Sequence, residues 1–447
     1  MNKSLKQRVK HSSSWVIIGH LLSQVLRLGS NLILTRLLAP EMFGVMTIVT
    51  VLMGGLAMLS DVGLLQNIVQ SKRGEEPDYL NTAWTIQIIR GFFIFFMALL
   101  LSAGLYYFGQ LGYASAETVY GNKQLPLILA VISSTAIISS FDSIHILLLN
   151  RKLTMGRLVS IDLVSQITGV AFMLMLAWFQ RDIWALVFGS IVGVTVKMLL
   201  SHIANLGERC RFKWELKAVH EIFHFGKWVF IASILGFLLN QGDRLLLGGL
   251  ISPQMLGVYT IAFFLANAVK DVVSKLLSSV FFPLLSDVVR NNPHQVEDVY
   301  YKIRLKVDLV TMPAAGFLFS FGSVIVTFLY DARYESAGWM LQVLSLSLIS
   351  IGFMLADQLF LAYGKPKYGC VSIAIMVITM YIFVPISYAY YGLYGAILAI
   401  AINPALKIFA SMIIMRRKYF LNFYREIMLL PLVLIGYIIG EQVKLLF

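Results

Sequence analysis

The chain has 447 residues, of which 58% are hydrophobic and 13% charged, with a mean hydropathy of +0.79 and a formal net charge of +13. Soluble domains carry about 25% charged residues, so this composition excludes a soluble protein and describes an integral membrane one. Apolar stretches of bilayer length, about 20 residues, follow one another so closely that no soluble domain of ~50 residues or more fits between them.

In chain order, spans are predicted near 15–35, 42–60, 82–107, 125–148, 159–179, 183–203, 228–250, 257–282, 308–330, 338–363, 370–390 and 394–415. A thirteenth candidate, 427–446, is weaker: its unbroken apolar part, Ile427 to Ile439, is short and ends in Glu441 and Lys444. Stretches this long satisfy their backbone as helices rather than as barrel strands. The expected fold is an all-α polytopic bundle.

With the amino terminus cytoplasmic, 23 of the 36 Lys and Arg residues fall in cytoplasmic connections, against five (Arg36, Lys123, Arg181, Arg333, Lys444) outside. This follows the positive-inside rule, and makes the net charge a topology signal rather than a nucleic-acid footprint. Cys210 and Cys370 both lie on or near the cytoplasmic side, where a disulfide is disfavoured, and they have no metal-ligand spacing. The basic amino terminus runs into a full-length first span without a small-residue cleavage site, so that span reads as retained.

Residues 39–48, APEMFGVMTI, match residues 252–261, SPQMLGVYTI, at six of ten positions, 213 residues apart. The first segment joins spans 1 and 2, the second spans 7 and 8, both outside. Six spans separate them, and an even number preserves orientation. The expected architecture is therefore two six-helix lobes related by a parallel repeat around an axis along the membrane normal: an N-lobe at 1–204, a C-lobe at 227–415 and an extension at 416–447. Between the lobes, in 205–226, Phe212, Leu216, Val219, Ile222 and Phe223 recur at helical spacing among charges, which predicts an amphipathic helix along the cytoplasmic interface. His220 and His224 stand one turn apart there with no third ligand near, so they read as interfacial side chains rather than a metal site.

The segments TRLLAPEMFGVMTI, LLSDVGLLQNIVQ, LLLNRKLTMGRLVSID and FGKWVFIASILGFLLNQGDRLLLGGLISPQMLGVYTIAFFLAN resemble the lipid-linked oligosaccharide flippases, the Wzx-type polysaccharide transporters of the multidrug/oligosaccharidyl-lipid/polysaccharide exporter superfamily. The resemblance covers almost the whole chain and is most specific at NQGDRLLLG…LGVY. It implies two lobes flanking a central cavity. The implied cargo is an undecaprenyl-pyrophosphate-linked sugar repeat unit, turned from the cytoplasmic to the outer leaflet of a bacterial inner membrane for exopolysaccharide, capsule or O-antigen assembly. It also implies a polysaccharide polymerase and other assembly proteins as candidate partners, beside membrane lipids.

An ionisable group at bilayer depth costs at least about 2.5–3.5 kcal/mol. Arg27 stands mid-span in helix 1, with His20, Gln24 and Asn31 on its face. Helix 7 carries Asn240, Gln241, Asp243 and Arg244; the 213-residue offset superposes Arg244 on Asn31 and Asn240 on Arg27. Arginines grip phosphate oxygens in pairs of hydrogen bonds, so Arg27 and Arg244 are the candidate diphosphate ligands, with Lys270 and Lys407 extending a basic lining. The alternative is that Arg244 pairs with Asp243 or another carboxylate and merely joins helices, or that the lysines snorkel. Arg90, Lys197, Lys227 and Lys275 read as anchors, and Asp61 as interfacial. Directional transport driven by H+ or Na+ needs an intramembrane acid. Asp142, among Ser139, Ser140 and Ser143 and three residues before His145, suggests a relay; Asp357 is a second candidate, and Asp162 and Asp243 complete the set.

Two other functions compete. An exporter of small organic cations would expose acids, whereas the mid-membrane charges here are mainly basic. A membrane glycosyltransferase or ligase would need acid/base groups on a sizeable outer loop, yet the longest, 109–122, holds one Glu. No Gly-rich nucleotide loop with its Lys is present. The reading is a transporter, not an enzyme, and needs no metal or organic cofactor.

Overall fold

The computed structural model describes residues 3–112, 115–152, 154–204, 210–420 and 422–446, with backbone alone at 3–13, 225–229, 231, 232, 278, 279, 366, 407, 410, 417, 418, 423 and 427. Every regular element among them is helical. Among the described residues nine helices are long and apolar enough to cross a bilayer, and one bent pair brings the total to ten. The chain divides into two compact units, Met1–Phe237 with Ser252–Gln254, and Leu238–Ile251 with Met255–Phe447. The division falls between Phe237 and Leu238, inside a helix, and not at the predicted 205–226 linker.

The first unit holds α1 (Lys3–Leu37), α2 (Pro40–Leu59), α3 (Leu64–Gln70), α4 (Pro77–Gln110), α5 (Leu125–Ile132), α6 (Ser134–Ser140), α7 (His145–Arg151), α8 (Met155–Gln180), α9 (Trp184–Ile203) and the first turns of α10 (Leu216–Gly248). Prolines open α2 and α4 at the first helical turn, where a missing N–H costs nothing. The second repeat segment behaves alike, with α11 beginning at Pro253. Gly44, Val45 and Ile48 in one segment, and Gly257, Val258 and Ile261 in the other, are all buried, so three of the six shared positions pack in both.

The span expected at 125–148 is broken. α6 and α7 meet at a 66° bend across residues 141–144. A backbone freed from its helix inside a membrane must find other partners, and α4 and α9 supply them. Gln87 Nε2 donates to Ser140 O and Asp142 O at 2.9 and 3.0 Å, and Trp84 Nε1 to Asp142 O at 3.1 Å. His202 Nε2 lies 2.8 Å from Phe141 O, and Ser143 N donates to Ser201 Oγ at 2.8 Å.

The described part of the linker is also not a separate helix. Residues 210–215 run without helix along the start of α4. Their N–H groups at Arg211, Lys213 and Glu215 donate to Asn81 Oδ1, Thr85 Oγ1 and Thr82 Oγ1 at 2.8, 3.1 and 3.2 Å. A helix begins only at Leu216 and continues unbroken to Gly248. Its first two turns bury Ala218 and Ile222 beside Leu64, Ile68 and Trp84, while Phe212, Leu216 and Phe223 stay exposed. Arg73 clasps this segment: it bonds Glu215 twice, at 2.8 and 2.9 Å, Glu76 at 2.7 Å and Glu221 at 3.4 Å. Hydrogen bonds to Glu76 and Glu215 hold the guanidinium above its ordinary pKa.

The second unit continues from Leu238 through α11 (Pro253–Leu276), a π-helical turn (Leu277–Phe281), α12 (Phe282–Asn291) and α13 (Val296–Leu329). α14 (Ala337–Ser345), a 3-10 stretch (Leu346–Phe353) and α15 (Met354–Ala362) together make one span, followed by α16 (Pro366–Lys418), α17 (Phe423–Ile427) and α18 (Leu432–Lys444). α16 covers both predicted spans 370–390 and 394–415; Gly392, at φ 60° and ψ −151°, breaks it in the predicted gap, a conformation open to residues without Cβ.

The thirteenth candidate is not a full span. α18 has 13 residues, about 20 Å at 1.5 Å per residue, against a hydrocarbon core of about 30 Å. It packs along α13 through small residues: a Cβ at Gly436 would collide with the Pro313 backbone, one at Gly440 with Ser320 Oγ, and one at Gly316 with Val433 O. Close approach of this kind replaces the hydrophobic drive that lipid does not supply.

Candidate functional site

Each unit contains a cavity of its own, with polar and charged side chains among a mainly apolar lining. In the first, a cavity of about 690 Å³ is lined by the ends of α2 and α3, by α4, α6, α7 and α9, and by the break between α6 and α7, with Asp61, Gln87, Arg90, Asp142 and Lys197 on its wall. Arg90 NH2 donates to Ala57 O at 2.6 Å and Nε to Ser60 Oγ at 3.2 Å, binding the carbonyl end of α2. Lys197 pairs with Asp162 at 2.8 Å. Asp61 accepts from Gly63 N at 2.9 Å and from Ser233 Oγ at 3.4 Å. Asp142 Oδ1 is buried with no hydrogen-bond partner.

This arrangement corrects three sequence expectations. Asp142 does not relay to His145, whose Nδ1 lies 3.3 Å from Ser143 Oγ and 3.8 Å from Cys210 Sγ, because the bend turns α7 away. Arg90 and Lys197 are cavity residues rather than membrane anchors, and Asp61 joins them. The readable signal was Gln87 and Arg90, three apart in an otherwise apolar run and therefore on one face of α4.

Of the helix 1 candidates, Arg27 is exposed, and Gln24 and Asn31 are half-buried. Arg27 forms no ion pair among the described residues; Ser30 Oγ donates to its carbonyl at 3.1 Å. Ser23 Oγ, on the same helix, bonds Gln166 Oε1 of α8 at 2.7 Å.

In the second unit, Asn240, Asp243 and Lys270 are brought together around a cavity of about 180 Å³, with Asn267 and Asn403. Asp243 is 4% exposed and accepts a hydrogen bond from Tyr259 Oη at 2.6 Å. It does not pair with Arg244, as one expectation had it. Arg244 lies over the ring of Phe263, which lines the cavity, with its guanidinium carbon 4.2 Å from the centroid. Its NH1 donates to Gln241 Oε1 at 2.5 Å, and its Nε is buried without a partner. A guanidinium bound by a neutral amide and a ring face keeps its whole charge for an incoming anion. Asp357 stands on α15 and is not on the wall of this cavity, and the Lys407 side chain lies outside the described residues.

Residues 33–338 match the family model described as "Polysaccharide biosynthesis protein". Over 419 residues the chain is 23% identical to the "Uncharacterized membrane protein in cps region" of Klebsiella pneumoniae, covering 91% of this chain and 82% of that protein. It is 20% identical to the "Lipopolysaccharide biosynthesis protein WzxC" of Escherichia coli over 342 residues, 76% of this chain and 67% of WzxC. Among solved structures it superposes on "Lipid II flippase MurJ, inward closed conformation" with a TM-score of 0.70 and 14% identity, over 96% of this chain and 98% of that one. The fold is thus that of a multi-pass transporter.

Proposed function

The chain belongs to the polysaccharide biosynthesis protein family, and from that premise we propose that it is a flippase. Its cargo is an undecaprenyl-pyrophosphate-linked oligosaccharide, moved from the cytoplasmic to the outer leaflet of the inner membrane by alternating access, with the amino terminus cytoplasmic. The observation that carries the reading is Arg244: a membrane-embedded guanidinium without a carboxylate partner among the described residues, beside a cavity with polar side chains on its wall. Such a charge is costly unless an anion repays it, and a diphosphate supplies two adjacent phosphates for paired hydrogen bonds. Arg27, also without an ion pair among the described residues, fits the same role. An exporter of organic cations would have no use for these charges.

Coupling belongs, in this reading, to Asp142. A carboxylate in a polar cavity at a broken helix is the arrangement by which transporters hold Na+ or H+, and its free oxygen supports that use. The protein catalyses no bond chemistry. The cargo assignment is tested by mass spectrometry of lipids retained by the purified protein. Prenyl-diphosphate-linked sugars are expected; recovery of ordinary phospholipids alone from cells making the polysaccharide would count against it.

A further inference from the structure

The most deeply buried charges among the described residues lie outside both cavities. Arg304 and Asp308 on α13 are each 1% exposed, and Glu426 on α17 is 2% exposed. Arg304 Nε donates to Asp308 Oδ2 and its NH1 to Glu426 Oε2, both at 2.6 Å. The guanidinium lies 3.7 Å from the ring centroid of Phe353, and a Cβ at the neighbouring Gly352 would strike Asp308 and Arg304. One cation therefore stands between two carboxylates. The second oxygen of each, Asp308 Oδ1 and Glu426 Oε1, is buried and has no hydrogen-bond partner.

Fully ionised, this triad carries one net negative charge on buried groups, which is costly; a carboxyl escapes that cost by taking up a proton. We propose that Asp308 and Glu426 hold one proton between them at neutral pH, and that its release frees α17 from α13. The surrounding groups do not neutralise the excess charge. Arg425 pairs with Asp298 at 3.6 Å, the neutral phenols of Tyr301 and Tyr300 stand against the Glu426 carboxyl and Arg304, and Glu297 adds a like charge on the same helix end. The 3-10 stretch opposite contributes the apolar Phe353. Lys302 is exposed, on the wall of a cavity of about 340 Å³ that Arg304 and Asp308 also line, giving water a route to the pair. Burial pushes the Glu426 carboxyl above its ordinary range; Arg304 pulls it down and Asp308 pushes it up again.

The sign follows from linkage. The docked state binds the proton more tightly than the released one, so docking is complete at acid pH and is lost as pH rises through the raised carboxyl value. For one proton it weakens about tenfold per pH unit between the carboxyl's ordinary value and the raised one, and levels off above it.

Two measurements on the full-length protein in detergent test this. Infrared spectroscopy of the wild type at neutral pH should show a protonated-carboxyl stretch that is absent from Glu426→Gln and from Asp308→Asn. Hydrogen exchange of amides 422–428, corrected for intrinsic pH dependence, should lose protection with rising pH in the wild type. In either single variant, whose triad is neutral, protection should persist across the pH range; in the double variant, which strands Arg304, it should be lost. Should Asp308→Asn not fold, Glu426→Gln alone decides. No protonated-carboxyl band, or single variants as unprotected as the double, overturns the proposal. So does protection that follows Na+ concentration at fixed pH, which would make the pair a sodium site.

Discussion

Arg244 lies face-on over Phe263, 4.2 Å from guanidinium carbon to ring centroid, while the adjacent Asp243 turns instead to Tyr259. The two neighbours on α10 thus have separate partners, and the basic one is left available. Replacing Arg244 with Ala should lower headgroup translocation about 10- to 100-fold, the range for losing a hydrogen-bonded charge on phosphate. Phe263→Leu should cost less, about 0.5–2 kcal/mol of cargo affinity, since it removes only the ring beneath the cation. Titrating transport against cargo concentration in vesicles separates the two.

Asp142 and His145 make a second contrast. Asp142→Asn should abolish the dependence of transport on an imposed proton or sodium gradient, because it removes the charge of a cavity carboxylate whose Oδ1 is buried without a hydrogen-bond partner. His145→Ala should leave that dependence within about twofold, as expected for a side chain outside the machinery. Gradient-driven uptake in proteoliposomes reads both, and equal losses would restore the relay that the bend argues against.

The Arg73 clasp predicts a measurable local opening. Arg73→Glu should raise hydrogen exchange across 210–222, and Glu215→Arg in the same chain should recover part of the protection. Exposed pairs contribute about 0–1 kcal/mol each, so the effect should be modest and shrink at high salt.

At the α13–α18 contact, Gly436→Leu should cost about 1–3 kcal/mol, the usual range for overpacking, because its side chain meets the Pro313 backbone. Gly104→Ala, where a Cβ has no neighbour within 4 Å, is the control and should be near neutral. Thermal unfolding in detergent compares them.

Helices were legible in the sequence because lipid leaves an apolar segment few alternatives, and even the pause near 391–393 appeared as Gly392. The break at 141–144 was not: its partners Trp84, Gln87, Ser201 and His202 lie 50 or more residues away, and only folding brings them to it. Arg90 and Lys197 were misread for a related reason. Position along a helix gives depth, but the direction of a long side chain depends on what its neighbours leave open. The extension after residue 415 looked weak because hydropathy weighs apolar length, whereas this segment is held by Glu426 on Arg304 and by glycines against α13. Arg27 and Arg244 were legible as unusual charges, since few residues cost more in a span.

The central claim is tested most directly by placing Arg27→Ala/Arg244→Ala protein in vesicles loaded with undecaprenyl-diphosphate-linked oligosaccharide and following the exposure of the sugar headgroup on the far leaflet. Wild-type protein should expose it with time, and the double variant, folded to the same thermal midpoint, should expose it no faster than protein-free vesicles. Undiminished exposure by the double variant would contradict the account.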